Sequence, residues 1–163
     1  MSATRIPEAG AERLLTFEVS RTVYALPIAE VHEVTESGRI CCVPTISPDL
    51  VGVMNWHGDA LPVVSTALLL AEDGEAAEAD SPEAAGGSVR AGQHVLVVSA
   101  GDDEPAQLGI PIDRVIGLVD GPRRRRGGGR LVVERRPVEG RVVSVLDPRR
   151  LVERATQVIG RVA

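Results

Sequence analysis

The sequence has no lysine. All 18 basic residues are arginine, which is as readily a coding bias as a chemical device. Aromatic side chains are nearly missing too. Phe17, Tyr24 and Trp56 are the whole set, too few for the stacked rings on which single-stranded nucleic acid is held. No apolar run exceeds about five residues, whereas a membrane helix needs about 20, so no insertion into a membrane is expected. Cysteine is limited to the neighbours Cys41 and Cys42. In a strand they would point to opposite faces, which rules out an ordinary bridge between them. The opening MSATRIPEAGAERLL lacks a basic start followed by an apolar core. These features together predict a cytoplasmic chain.

Chemistry-bearing motifs are equally scarce. There is no nucleophile elbow, P-loop or dinucleotide fingerprint. His32, His57 and His94 lie far apart, and Cys41-Cys42 lacks ligand spacing. The expectation is a protein without catalytic residues, metal or cofactor. Asp102-Asp103-Glu104 reads as a hairpin tip.

What is present is a core and a duplication. Apolar residues make up 44% of 163 residues, enough for one ordinary domain or two small halves sharing an interior. Leu15, Phe17 and Val19 alternate with polar neighbours, and Ser20-Arg21-Thr22 turns the chain into Val23, a hairpin. The segment PIAEVHEV (27–34) has Ile28, Val31 and Val34 at spacing three and a proline at its start, which predicts a short helix. Ile40 to Val43 suggests a strand and Ser47-Pro48-Asp49 a turn. Val51 to Trp56 and Ala60 to Ser65 are joined by His57-Gly58-Asp59 in a second hairpin. Thr66 to Glu72 is a short helix. His94 to Ser99 is a strand. LGIPIDRVIGL (108–118) then lies over YALPIAEVHEV (24–34), with proline, isoleucine and valine identical at 27/111, 28/112 and 31/115. VVSVLDPRRLV (142–152) repeats LPVVSTALLL (61–70), strand then helix, with Asp147 as N-cap of the last helix and Pro148 at its first position. Two matches in the same order imply two similar modules of short strands, each a small barrel.

The charge is unevenly spread. Residues 1–92 carry 5 arginines against 14 acids, and residues 93–163 carry 13 against 9. Six of those acids fall within 72–92, which has no apolar periodicity and reads as a solvated spacer. Arg123 to Arg130, interrupted by Gly127 to Gly129, reads as a basic loop. It leaves contact with nucleic-acid phosphates as an alternative of another class. Glu33 and His57 could form a carboxylate–imidazole pair or stand as separate surface groups.

The strings FEVSRTVYALPIAEVHEV (17–34), VPTISPDLVGVMNWHGDALPVVS (43–65), LGIPIDRVIGLV (108–119) and RVVSVLDPRRLV (141–152) together resemble the CheW family of chemotaxis coupling proteins. The likeness covers roughly residues 14–155. It implies a mostly all-β fold of two five-stranded SH3-like barrels sharing a core, with short helices and a C-terminal helix. The expected layout is a flexible 1–13, one subdomain over 14–71, the acidic loop 72–92, a second subdomain over 93–147 and the helix 148–163. The resemblance implies a non-catalytic adaptor joining the cytoplasmic tip of methyl-accepting chemoreceptors to the regulatory domain of a CheA-type histidine kinase, with other CheW-like proteins as further partners. A receptor helix would dock between the barrels on Ile28, Val31, Glu33, Val34, His57, Val95, Val115 and Leu118, and the kinase around Gly52, Val53 and Asn55. Where the family usually has Asn-Leu-Arg-Gly, this chain has Asn55-Trp56-His57-Gly58. A permanent cation is thereby replaced by a titratable one, which leaves an accessory scaffold or array modulator as the alternative within the family.

Overall fold

The structure, a computed structural model, describes residues 10–36, 40–41, 50–71, 93–101, 103–122 and 129–160. The expectations for 1–9, for Cys42 to Asp49, for the acidic segment 72–92 and for 123–128 lie outside these residues. The chain runs β1 (Ala11–Val19), β2 (Thr22–Pro27), a single 3-10 turn (Ile28–Glu30), β3 (Val31–Glu36), β4 (Ile40–Cys41), β5 (Leu50–Trp56), β6 (Asp59–Val64) and α1 (Thr66–Ala71). It continues with β7 (His94–Val98), β8 (Leu108–Ile112), β9 (Arg114–Pro122), β10 (Val132–Val138), β11 (Arg141–Leu146) and α2 (Pro148–Gly160). β1 opens at Ala11, opposite Pro122 of β9. β1 therefore starts before the boundary expected at residue 14.

Two sheets result. One has the order β10-β11-β2-β1-β9, the other β3-β7-β8-β6-β5-β4, where β4 is a two-residue addition to five longer strands. This is the fold of two SH3-like barrels foreseen from the sequence, but the halves are not self-contained. β3 leaves β2 to pair with β7 of the second copy, and β9 leaves β8 to pair with β1 of the first. Neither 14–71 nor 93–147 therefore builds a barrel alone. Barrel A combines β1 and β2 with β9, β10 and β11; barrel B combines β3 to β6 with β7 and β8.

The duplication is visible in the backbone. The β5–β6 and β10–β11 hairpins turn on His57-Gly58 and Glu139-Gly140, all four residues at positive φ (50°, 90°, 48° and 78°). Such turns match the twist of the strands they join. Beyond each hairpin, Leu69 N–H donates to Ser65 O (3.2 Å) and Leu151 N–H to Asp147 O (3.0 Å). Asp147 caps α2 as expected, its Oδ1 accepting from Arg149 N–H at 3.0 Å.

The central strands β2, β7 and β8 are apolar on both faces because both faces are buried. Val95 and Val97 point into barrel B with Met54, Leu61 and Val63. Val23, Ala25, Val143 and Val145 fill barrel A with Leu14. The intervening Leu96, Val98, Tyr24 and Leu26 join Leu15, Phe17, Ile110, Ile112 and Leu151 in a third cluster between the barrels. A strand buried on both sides reads as a continuous apolar run instead of an alternating one.

The helix expected over 27–34 is a strand after its first turn. Val31 faces Val98 while Glu33, two positions on, faces Val97. This bulge inserts one residue, so Val31 and Val34 share a face at spacing three, as they would on a helix. The equivalent bulge in β9 sets Val115 opposite Phe17 and Gly117 opposite Thr16, which puts Val115 and Leu118 on one face.

Candidate partner-binding site

Cross-strand partners in a sheet share a face. Val31 and Val34 lie opposite Val98 and Leu96, and Val115 and Leu118 lie opposite Phe17 and Leu15. All four partners belong to the cluster between the barrels. β3 and β9 are each the outermost strand of their sheet, so this inner face reaches solvent there. Val34 is 37% exposed, Val115 40% and Leu118 52%, and Ile28 in the preceding turn is 38% exposed. Val31 is partly buried against the shared core. The apolar interior thus continues onto the surface along two edge strands related by the duplication.

Glu33 and His57 are brought together, but elsewhere. Glu33 lies opposite Val97, on the barrel-B face of β3. Its Oε2 accepts from Trp56 Nε1–H at 2.9 Å and stands 2.9 Å from His57 Nε2. Trp56 ends β5, which is separated from β3 by β7, β8 and β6. These contacts therefore cross the seam and latch barrel B. Trp56 sits edge-on to both His57 (centroids 4.6 Å apart) and His32 (6.0 Å), and His32 Nε2 is 3.1 Å from Glu104 O. The His57 and Trp56 hydrogen bonds hold the Glu33 carboxyl below the usual carboxylate range.

A carboxyl depressed in the folded state contributes its contacts above the ordinary glutamate range and loses them as pH falls through its lowered value. Trp56 is the single tryptophan and reports on them directly. Its emission should shift as the pH falls below the ordinary glutamate range, and Glu33→Gln should remove that shift. An identical acid transition in the variant would detach the indole from Glu33.

Val95 is fully buried inside barrel B and offers no surface to a partner; this corrects its assignment to the docking groove. Around the expected kinase contacts, Gly52 is buried at a register shift of β5 with φ 149°, Val53 is half-buried and Asn55 exposed. Asn55 Oδ1 also accepts from Gly58 N–H at 2.9 Å, so it fastens the turn that carries His57. Trp56 and His32 were missed in the sequence reading. The signal was their adjacency to His57 and Glu33, the two residues already singled out.

Among the described residues no cluster of three or more His, Cys, Asp or Glu side chains could hold a metal, and no helix is long and apolar enough to cross a membrane. A model of the CheW-like domain family matches residues 13–156. No curated protein matches the chain. Among solved structures, the scaffolding protein TtCheW from Thermoanaerobacter tengcongensis is similar, at 16% identity and a TM-score of 0.59, over 90% of this chain and 92% of that one. At that identity the likeness is one of fold.

Proposed function

The chain belongs to the CheW-like domain family, and from that premise we propose that it is a non-catalytic chemotaxis adaptor that couples chemoreceptor tips to the regulatory domain of a CheA-type histidine kinase. The carrying observation is the pair of edge strands. Val31 with Val34, and Val115 with Leu118, extend the inter-barrel core to the surface at positions related by the duplication. A receptor tip is helical, and an apolar stripe on a helix is recognised by an apolar groove that covers it. Ile28 adds area at the start of β3. Glu33 and His57, on the barrel-B side, would orient the helix from the rim. The kinase domain, of similar fold, would meet the β5 region at Val53 and Asn55. Work of this kind places the protein in the cytoplasm, at receptor arrays, beside other CheW-like chains.

Co-precipitation with a purified receptor signalling tip and a kinase regulatory domain tests the reading. Val31→Asp combined with Val115→Asp should cut tip binding by at least about tenfold, since each places a charge where an apolar side chain is to be covered, and should leave kinase binding in place. Retention of full tip binding by a folded double variant would sink the groove. Failure of the native chain to bind either partner would sink the adaptor.

A further inference from the structure

The two barrels are not closed alike. The counterparts of Glu33 and His57, by the repeat, are Gly117 and Glu139, and Trp56 is matched by Val138. No latch forms among these three, and a Cβ on Gly117 would meet nothing within 4 Å. Barrel A is held elsewhere along the seam, where the Arg136 guanidinium lies against Gly121 of β9. At the unlatched position a cleft of about 470 Å³ opens, lined by Ile116, Gly117, Val119, Val138 and Val143 with Thr16. Its rim continues into a second depression of about 550 Å³ bordered by Arg21, Arg114, Arg141, Glu18 and Val142. Arg114 Nη2 and Arg141 Nη1 share a single oxygen of Glu18, at 3.1 and 3.4 Å. The rim thus has three cations against one anion, and Glu139 on the far lip leaves one positive charge in surplus over the whole opening. In barrel B the place of Arg141 is taken by Asp59, so this surplus belongs to barrel A.

We propose that the open seam of barrel A is a docking site for an extended segment of a partner protein that carries an aliphatic residue and an acidic residue two positions apart. The period of a strand puts successive side chains on opposite faces. One aliphatic side chain of such a segment fills the cleft over Gly117, where barrel B has Glu33. A carboxylate two positions along, and so on the same face, meets Arg141 and Arg114, which line the same cleft and whose single internal partner leaves donors to spare. β9 has one sheet partner among the described residues, β1, so its other edge offers main-chain groups to the incoming strand. The site lies on the barrel-A face of β9 and adjoins the inter-barrel face at Leu118, and it does not depend on receptor or kinase binding.

The probe is a short, blocked, fluorescein-labelled peptide with a leucine and a glutamate two positions apart in a threonine background, followed by anisotropy in low salt, with a leucine–glutamine peptide as control. The leucine–glutamate peptide should bind the native chain and the control should bind at least about tenfold more weakly. Arg141→Glu should weaken binding by a similar factor, and Gly117→Leu should block the cleft without disturbing the fold, because nothing stands where its side chain would begin. Arg149→Glu, a charge reversal on the exposed side of α2, should change nothing. No binding of the leucine–glutamate peptide, equal binding of both peptides, an affinity indifferent to Arg141→Glu or to Gly117→Leu, or an equal loss with Arg149→Glu would each overturn the proposal.

Discussion

Replacing Phe17 with alanine should lower the unfolding midpoint by roughly 6–20 °C, the consequence of losing about 3–5 kcal/mol in a domain of this size. Phe17 is fully buried, in the cluster the two barrels share. Its ring lies 6.0 Å from that of Tyr24, tilted by 31°. β1 is hydrogen-bonded on both sides, to β2 and to β9, so the backbone cannot collapse into the space left behind, and a void in such a place costs more than the lost transfer energy alone. Phe17→Leu keeps most of the volume and should recover more than half of the loss. Thermal and urea unfolding followed by circular dichroism measures both. A cost below about 1 kcal/mol for the alanine variant would mean that the barrels do not depend on a common core.

The second large effect comes from adding atoms. A Cβ on Gly109 would stand 2.9 Å from Val95 Cγ1, 3.2 Å from Val63 Cγ2 and 3.3 Å from Leu61 Cδ2. Gly109 lies in β8, between Val97 on one side and Val63 on the other. Its need for glycine is one of space, not of backbone conformation. Two of the three neighbours are valines, stiff at χ1 and unable to turn aside cheaply. Gly109→Ala should cost about 1–3 kcal/mol, and Gly109→Val should leave little folded protein. Val95→Ala removes the nearest obstructing methyl groups, so the double variant with Gly109→Ala should be more stable than the sum of the single losses allows. Strict additivity in denaturant unfolding would show that the clash is relieved by movement of β8 instead. The same crowding explains why Val95 faces no partner.

The sequence carried the duplication and the hairpins clearly, because a turn at positive φ or a proline-led segment announces itself locally. The repeats at 27/111, 28/112 and 31/115, the turn at His57-Gly58 and the cap at Asp147 are all decided by a few neighbouring residues. The exchange of β3 and β9 was not legible. Both faces of β7 and β8 are buried, and an apolar run such as HVLVV does not say which edge strand it will accept. PIAEVHEV deceived for a definite reason: a bulge at His32 turns the period of two into three, the spacing that a helical turn also gives. Val95 was misplaced for a related reason. In HVLVV every second residue belongs to a different core, and nothing in the string separates one barrel's interior from the layer between barrels. The meeting of Glu33 with His57 was open in the sequence, while Trp56 as donor to the same oxygen needed the closed barrel to be seen.

Each copy of the repeat lends its third strand to the other. Prising one module from the other would strip an outer strand from both, so the pair has no natural plane of cleavage. The chain crosses between the barrels from β2 to β3 and again from β8 to β9, so a pull or twist applied to one barrel is carried to the other through the backbone and the shared core. A link in a chain of proteins built this way transmits load as one rigid body, not as two beads on a string.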